Sequence, residues 1–158
     1  MKSRSLLFVV LSALLLCPAL FAETITEQQV IDLVASTAAE LTGNATATFE
    51  KINKGEAPYK STTDPEFYVF VYDQDVNMLA HPTASLVGKN FKGKPDAKGK
   101  KFRDEIIEGA LKNKTGWIEY MYQKPGDSGL HPKKVYYQLV TTAEGKQYIV
   151  CSGMYLPK

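Results

Sequence analysis

A long amphipathic helix is the element that the sequence specifies most strongly. Apolar residues recur at every third or fourth position from Val30 to Ile52, which places them on one face of an α-helix. Thr26 and Gln29 stand three residues apart at its start, as in a capping box. A glycine and then a proline follow the last apolar residue and stop the pattern. We therefore predict one long helix over residues 23–55, with a bend where Gly and Asn interrupt it.

The period of the apolar pattern changes to two in the second half of the chain. Alternating aromatic and β-branched residues predict five strands, at residues 67–72, 76–80, 117–122, 135–141 and 147–155. A segment rich in Gly, Pro and Lys separates the second strand from the third and carries a short amphipathic helix, "KFRDEIIEGALKN". Because the strand connections are short and local, an antiparallel sheet is favoured. The predicted fold class is α+β, with the sheet and its helical insertion within residues 67–155.

The N-terminal residues 1–22 have the pattern of a secretory signal peptide. Two basic residues precede an almost unbroken apolar stretch over residues 6–16, and a cleavage site ends at Ala22. The stretch is too short to span a membrane, and no second apolar span follows it. We expect a mature chain that begins near Glu23, forms a single domain over residues 23–158, lies in the periplasm or is secreted, and has no membrane anchor.

The charge of the mature chain argues against polyanionic partners. The full chain has 19 basic and 17 acidic residues, and the predicted signal peptide holds two basic residues and no acidic one. The mature chain is therefore electrically balanced. It lacks the excess of positive charge by which proteins bind nucleic acids or anionic membranes, so neither is an expected partner.

The sequence contains no residue set typical of an enzyme or a metal centre. His81 and His131 lie 50 residues apart, and Cys151 is the one cysteine beyond the signal peptide, so a zinc site would need scattered carboxylates. The segment from Asp73 begins like a calcium loop but lacks its glycine and its closing glutamate. No glycine-rich phosphate loop is present. We predict a protein that is not an enzyme and has no catalytic residues, metal or cofactor.

Tyrosines on the predicted strands point to a ligand pocket or to an ordinary sheet surface. Tyr68 and Tyr72 lie on the same face of one strand, and Tyr120 and Tyr122 on the same face of another. A sheet face that combines tyrosines with a tryptophan, a histidine and a lysine is typical of a small-molecule pocket. Alternating tyrosines on a strand are more often simply the surface of a half-buried sheet. The residues alone leave both interpretations open.

Residues 67–155 resemble a single-module Cache domain. The resemblance is carried, in order, by "FYVFVYD", "LAHP", "LVGKNF", a D-x-x-G-K-x-F pattern from Asp96, "GWIEY", a K-x-x-Y pattern from Lys134 and "YIVCSGMY". It implies a long helix packed on a five- to six-stranded antiparallel sheet similar to that of PAS domains. This is the arrangement that the apolar pattern also predicts.

The resemblance further implies a ligand site between the sheet and the loops that cover it. The matching positions are Tyr68, Tyr72, His81, Trp117, Tyr120, Lys134 and Tyr137. His81, held by Pro82, would donate a hydrogen bond to a ligand carboxylate, and Lys134 would supply positive charge. Lys134 and Tyr137 lie three residues apart on one strand, so they face opposite sides of the sheet unless the strand bulges.

The expected function is that of an extracytoplasmic sensor module. Cache domains bind small molecules, often short carboxylates or amino acids, which is what the resemblance implies for this chain. Because no output domain precedes the end at Lys158, the signal is expected to pass to a separate partner, such as a membrane-bound receptor or kinase. The open alternative is a ligand-independent accessory domain that binds proteins. A homodimer through the N-terminal helix is compatible with either.

Overall fold

The computed structural model of the chain describes residues 24–157. The predicted signal peptide, residues 1–22, and its cleavage before Glu23 lie outside the described residues. Within residues 24–157, no helix is both long enough and apolar enough to cross a membrane.

The predicted N-terminal helix is present as α1, Glu27–Lys54. Its capping box is formed, because the Thr26 hydroxyl accepts a hydrogen bond from the Gln29 amide and the Gln29 side chain accepts one from the Thr26 amide. The helix ends at Gly55, whose φ of 66° is in the left-handed region that glycine adopts readily. Asn44 has non-helical backbone angles and kinks the helix, where the sequence predicted a bend.

The predicted antiparallel sheet has five strands in the order β2-β1-β5-β4-β3. The strands are β1 Val69–Tyr72, β2 Met78–Ala80, β3 Thr115–Gln123, β4 Leu130–Thr141 and β5 Gln147–Tyr155. A short 3₁₀ turn, Ala84–Leu86, and the helix α2, Phe102–Asn113, lie between β2 and β3. The β5 bounds match the prediction, whereas β3 and β4 are longer because they pair along their whole length from Thr115–Gln138 to Gln123–Leu130.

The two faces of the sheet carry separate cores, as the alternation along β1 shows. Val69 and Val71 pack with the buried face of α1 on one side. Tyr68, Phe70 and Tyr72 pack on the other side with α2 and the segment that precedes it. The predicted shared face of Tyr68 and Tyr72 is therefore confirmed. It is this second face, opposite α1, that carries the cavities described below.

Two glycines let α2 lie close to the sheet. A Cβ atom at Gly109 of α2 or at Gly116 of β3 would overlap the hydroxyl of Tyr137. The Tyr137 ring therefore fits between the helix and the neighbouring strand only because both positions lack a side chain.

Candidate ligand-binding site

A cavity of about 510 Å³ opens on the sheet face opposite α1. Its walls come from Tyr68 just before β1, the segment between β2 and α2, the first residues of α2, and the hairpin that joins β3 to β4. A second void of about 10 Å³ lies deeper, against the sheet, with room for about one water molecule. Five residues line both spaces and form the wall that they share: Tyr68, His81, Phe102, Arg103 and Tyr122.

Lys133 of β4 lines the deeper void and is 1 % exposed. Its Nζ donates a hydrogen bond to the Tyr68 hydroxyl at 2.8 Å and lies 4.2 Å from the centroid of the Tyr68 ring and 4.9 Å from that of Tyr155. Burial lowers the pKa of Lys133 to about 8, because desolvation disfavours the charged ammonium. Within residues 24–157 no carboxylate forms a salt bridge with this ammonium.

Arg103, in the first turn of α2, brings a second cation to the shared wall. It is 7 % exposed, its Nε donates to the Tyr72 hydroxyl at 3.2 Å, and its guanidinium lies 4.4 Å from the Phe91 centroid and 4.2 Å from the Phe102 centroid. The aromatic faces favour the cation. In the described part of the chain, Arg103 has no salt-bridge partner either.

His81 is a neutral hydrogen-bond donor in the same wall. Its Nδ1 accepts a hydrogen bond from the Thr83 amide at 2.8 Å, so the ring proton resides on Nε2. Burial, together with the charges of Lys133 and Arg103, lowers the pKa of His81 to about 3. The His81 backbone amide donates to the Asn53 side chain of α1 at 2.9 Å, which ties the end of β2 to the long helix.

Asp96 also lines the cavity, but its carboxylate is engaged with backbone amides. One oxygen accepts from Lys98 and Lys100, and the other accepts from Met121 of β3, at 2.8 to 2.9 Å. Partial burial would raise the pKa of Asp96, but these hydrogen bonds outweigh it and hold the pKa below its ordinary value. Asp96 therefore links the loop that precedes α2 to the edge strand β3, and both of its carboxylate oxygens are already hydrogen-bonded there.

Comparison with known proteins identifies the family. The sequence model of the Cache domain matches residues 34–158, which is most of the chain. The chain belongs to the Cache domain family. The fold predicted from the sequence, a long N-terminal helix on a five-stranded antiparallel sheet, agrees with this membership.

Three solved structures resemble the chain in fold. The periplasmic sensor domain of a chemotaxis protein is 23% identical, with a TM-score of 0.62 over 80% of this chain and 88% of that chain. A Cache chemosensory domain studied for its carboxylic acid recognition is 20% identical, with a TM-score of 0.65 over 82% and 92%. A methyl-accepting chemotaxis protein from Vibrio parahaemolyticus RIMD 2210633 is 18% identical, with a TM-score of 0.64 over 81% and 86%. No match was found among curated protein sequences.

Four of the residues that the Cache resemblance suggested lie together at the site. Tyr68 and His81 line both the cavity and the deeper void. Tyr72 and Tyr120 line the void, and the Tyr120 ring stacks on Phe102 with centroids 3.7 Å apart. Whether these side chains bind a ligand stays a prediction, but the structure brings them to one place.

The remaining three suggested residues lie elsewhere. Lys134 faces α1, where its Nζ pairs with Glu27 and lies 5.0 Å from the ring centroid of Trp117, so these two side chains are on the opposite side of the sheet. Tyr137 is on the face of the site but is enclosed beneath α2. The expected separation of Lys134 and Tyr137 by strand alternation is therefore observed, and neither residue lines the two spaces.

The site also contains charged residues that the sequence analysis did not select. Lys133 has the same strand parity as Tyr137, so placing Tyr137 on the face of the site would also have placed Lys133 there. Arg103 precedes Ile106 and Ile107 by three and four residues, which puts it on the buried face of α2. The residue spacing therefore predicts the position of both side chains, whereas the K-x-x-Y pattern of the Cache resemblance selects Lys134.

Proposed function

We propose that this Cache domain is an extracytoplasmic sensor module that binds a small carboxylate at the wall shared by the cavity and the void. The observation that supports the proposal is the pair of buried cations, Arg103 and Lys133, which have no carboxylate partner within the described residues. The ligand carboxylate would lie against the Arg103 guanidinium and accept a hydrogen bond from Nε2 of His81.

The energetics of buried charge support an anionic ligand. A buried cation is unfavourable unless it is paired and hydrogen-bonded. Tyrosine hydroxyls and aromatic faces compensate part of that cost at Arg103 and Lys133, but they carry no negative charge. A carboxylate would supply it, and a guanidinium can bind one in a bidentate manner. Neutral His81 adds a donor without adding a third positive charge to the site.

The size of a short carboxylate limits its affinity. A ligand of about five heavy atoms gains at most about 1.5 kcal/mol per atom, hence roughly 7 kcal/mol. This corresponds to a dissociation constant on the order of 10 µM. Such an affinity suits a sensor that follows a metabolite at micromolar concentration.

The location and the signalling partner belong to the same proposal. The N-terminal pattern over residues 1–22 supports export and cleavage near Glu23, which would place the sensor in the periplasm or outside the cell. We propose that it reports to a separate membrane-bound receptor or kinase. Dimerisation through α1 stays a prediction that sedimentation of the purified protein can test.

The test is a thermal-shift screen on the full chain, expressed with its own N-terminal segment and purified from the periplasm. The ligands are acetate, propionate, pyruvate and lactate, with urea and methylamine as uncharged and cationic controls. At 100 times the dissociation constant, a ligand adds about 2.7 kcal/mol of stability, which raises the Tm by several degrees. The intact mass of the same sample shows whether cleavage occurred before Glu23.

Matched variants locate the binding. Arg103→Met should abolish the carboxylate shift, because it removes the guanidinium and keeps an apolar side chain between Phe91 and Phe102. Lys134→Met, on the opposite face, should leave the shift unchanged. A carboxylate shift that survives Arg103→Met would place binding elsewhere. No shift with any carboxylate in the folded protein would refute the carboxylate site and favour the ligand-independent accessory role.

A further inference from the structure

Lys133 lies in surroundings that make its amine a nucleophile. Its Nζ is enclosed by aromatic rings and hydrogen-bonded to the Tyr68 hydroxyl, with no salt bridge to a carboxylate in the described chain. With its pKa lowered to about 8 by burial, roughly one molecule in ten carries the neutral amine at pH 7, against about one in a few thousand for an ordinary lysine. A neutral, desolvated lysine amine is the form that attacks carbonyl carbons.

The neighbouring groups suit a ligand that carries both a carboxylate and a carbonyl. The Lys133 Nζ and the Arg103 guanidinium lie 5.7 and 5.9 Å from the centroid of the same ring, Tyr122. Arg103 and His81 can hold a carboxylate, as proposed above, while Lys133 approaches the adjoining carbon. The neutral form of the Lys133 amine is favoured by its burial.

We infer that the ligand class of this site is a 2-oxo acid, whose keto carbon forms a reversible imine with Nζ of Lys133. This inference rests on the proposed carboxylate site. The neutral amine attacks the keto carbon to give a carbinolamine, which then loses water to leave a C=N bond. The keto oxygen departs with the two amine protons, and the Tyr68 hydroxyl, 2.8 Å from Nζ, can relay a proton between them. No oxidant or reductant is needed.

Access to Lys133 requires movement of the shared wall. The void beside Nζ holds about 10 Å³, which is too small for the reacting end of a 2-oxo acid. The five residues of the shared wall line both this void and the larger cavity. Imine formation therefore includes displacement of at least one of these side chains, and the covalent bond offsets the free-energy cost of that rearrangement.

The first test traps the imine chemically. The full chain purified from the periplasm is treated with pyruvate and cyanoborohydride, which reduces an imine to a stable amine. We expect one adduct on Lys133, detected by peptide mapping, with a mass increase equal to pyruvic acid less one oxygen atom. It should be absent from Lys133→Met and present in Lys134→Met, whose neighbouring lysine faces α1 and pairs with Glu27. No adduct on Lys133, or labelling spread evenly over the exposed lysines, overturns the inference.

The second test compares pyruvate with lactate, which has the same charge and nearly the same size but no carbonyl. Pyruvate should bind at least tenfold more tightly than lactate to the unmodified protein. Lys133→Arg, which keeps the charge and cannot form an imine, should remove this preference. Equal affinities in the unmodified protein would overturn the 2-oxo acid assignment but leave the carboxylate site standing. If pyruvate, lactate and acetate all fail to bind, the carboxylate site itself is refuted.

Discussion

Lys133→Met is expected to make the ligand-free protein more stable. The ammonium is 1 % exposed and its pKa falls from 10.5 to about 8, so holding it charged at pH 7 costs the folded state about 3 kcal/mol. The substitution removes this cost, fills nearly the same volume, and gives up the hydrogen bond to Tyr68, which is worth about 1 kcal/mol. The net gain is about 2 kcal/mol, or a rise in Tm of roughly 8 °C for a domain of this size.

The pH dependence of the stability difference provides a second, independent test of this prediction. A lysine whose pKa is lower in the folded state destabilises the fold fully below pH 8, and the penalty disappears as pH rises through the unfolded pKa near 10.5. The advantage of Lys133→Met should therefore be largest at pH 7 and shrink steadily above pH 8. Tyr68 contacts Lys133 directly, so the comparison rests on the change between pH 7 and 9, below the ordinary pKa of tyrosine near 10.

Thermal and urea unfolding, followed by circular dichroism at pH 7, 8, 9 and 10 without added carboxylate, measure this difference. Lys134→Met is the matched control, because it removes a partly exposed ion pair with Glu27 and should change stability by less than about 1 kcal/mol. A Tm for Lys133→Met that is equal to or below that of the unmodified protein at pH 7 would show that burying the ammonium does not destabilise the folded state. The reasoning that links it to an absent anion would then be wrong.

Three further predictions concern the frame of the site. Asp96→Ala should raise the hydrogen-exchange rate of the Met121 amide, because the carboxylate that accepts this hydrogen bond is gone; an unchanged rate would mean that the loop is held by other contacts. His81 should stay neutral in the folded protein down to about pH 3, so stability should fall as pH drops below 6.5, where only the unfolded chain gains the proton; an NMR titration of the ring near pH 6.5 would contradict this. Gly116→Ala should destabilise the protein by about 1–3 kcal/mol, since its Cβ overlaps the Tyr137 hydroxyl, and Tyr137→Phe should recover part of the loss in urea unfolding.

The fold was largely predictable because each level of the sequence agrees with the others. The helical period, the capping box and the terminal glycine specify α1 independently. The period of two in the sequence around β1 is sufficient to assign Tyr68 and Tyr72 to one face, and both residues pack in the same core. The residues were less informative at the ends of β1 and β2, which are short. There Tyr68 pairs outside the strand with Lys60, and Val76 turns with a φ of 64°.

The site was harder to predict because its charges come from positions that look ordinary in sequence. Arg103 follows a run of lysines that read as a solvated loop, yet it occupies the buried face of the first turn of α2. The predicted helix begins within one residue of α2, so its boundary was predictable, and what the sequence did not show was which groups the Arg103 side chain would contact. The stacking of Arg103 between Phe91 and Phe102 joins parts of the chain whose approach only the folded loop determines.

The choice between two adjacent lysines shows what the sequence leaves undecided. Lys133 and Lys134 are chemically identical, and a shift of one residue in the register of β4 would exchange their faces. In the observed register Val135 lies opposite Gly153 of β5, and this pairing requires a glycine there because a Cβ at Gly153 would overlap the Lys134 carbonyl oxygen. This register turns Lys133 toward the void and Lys134 toward α1. Which lysine faces the site therefore depends on the strand register and not on the charge of either side chain.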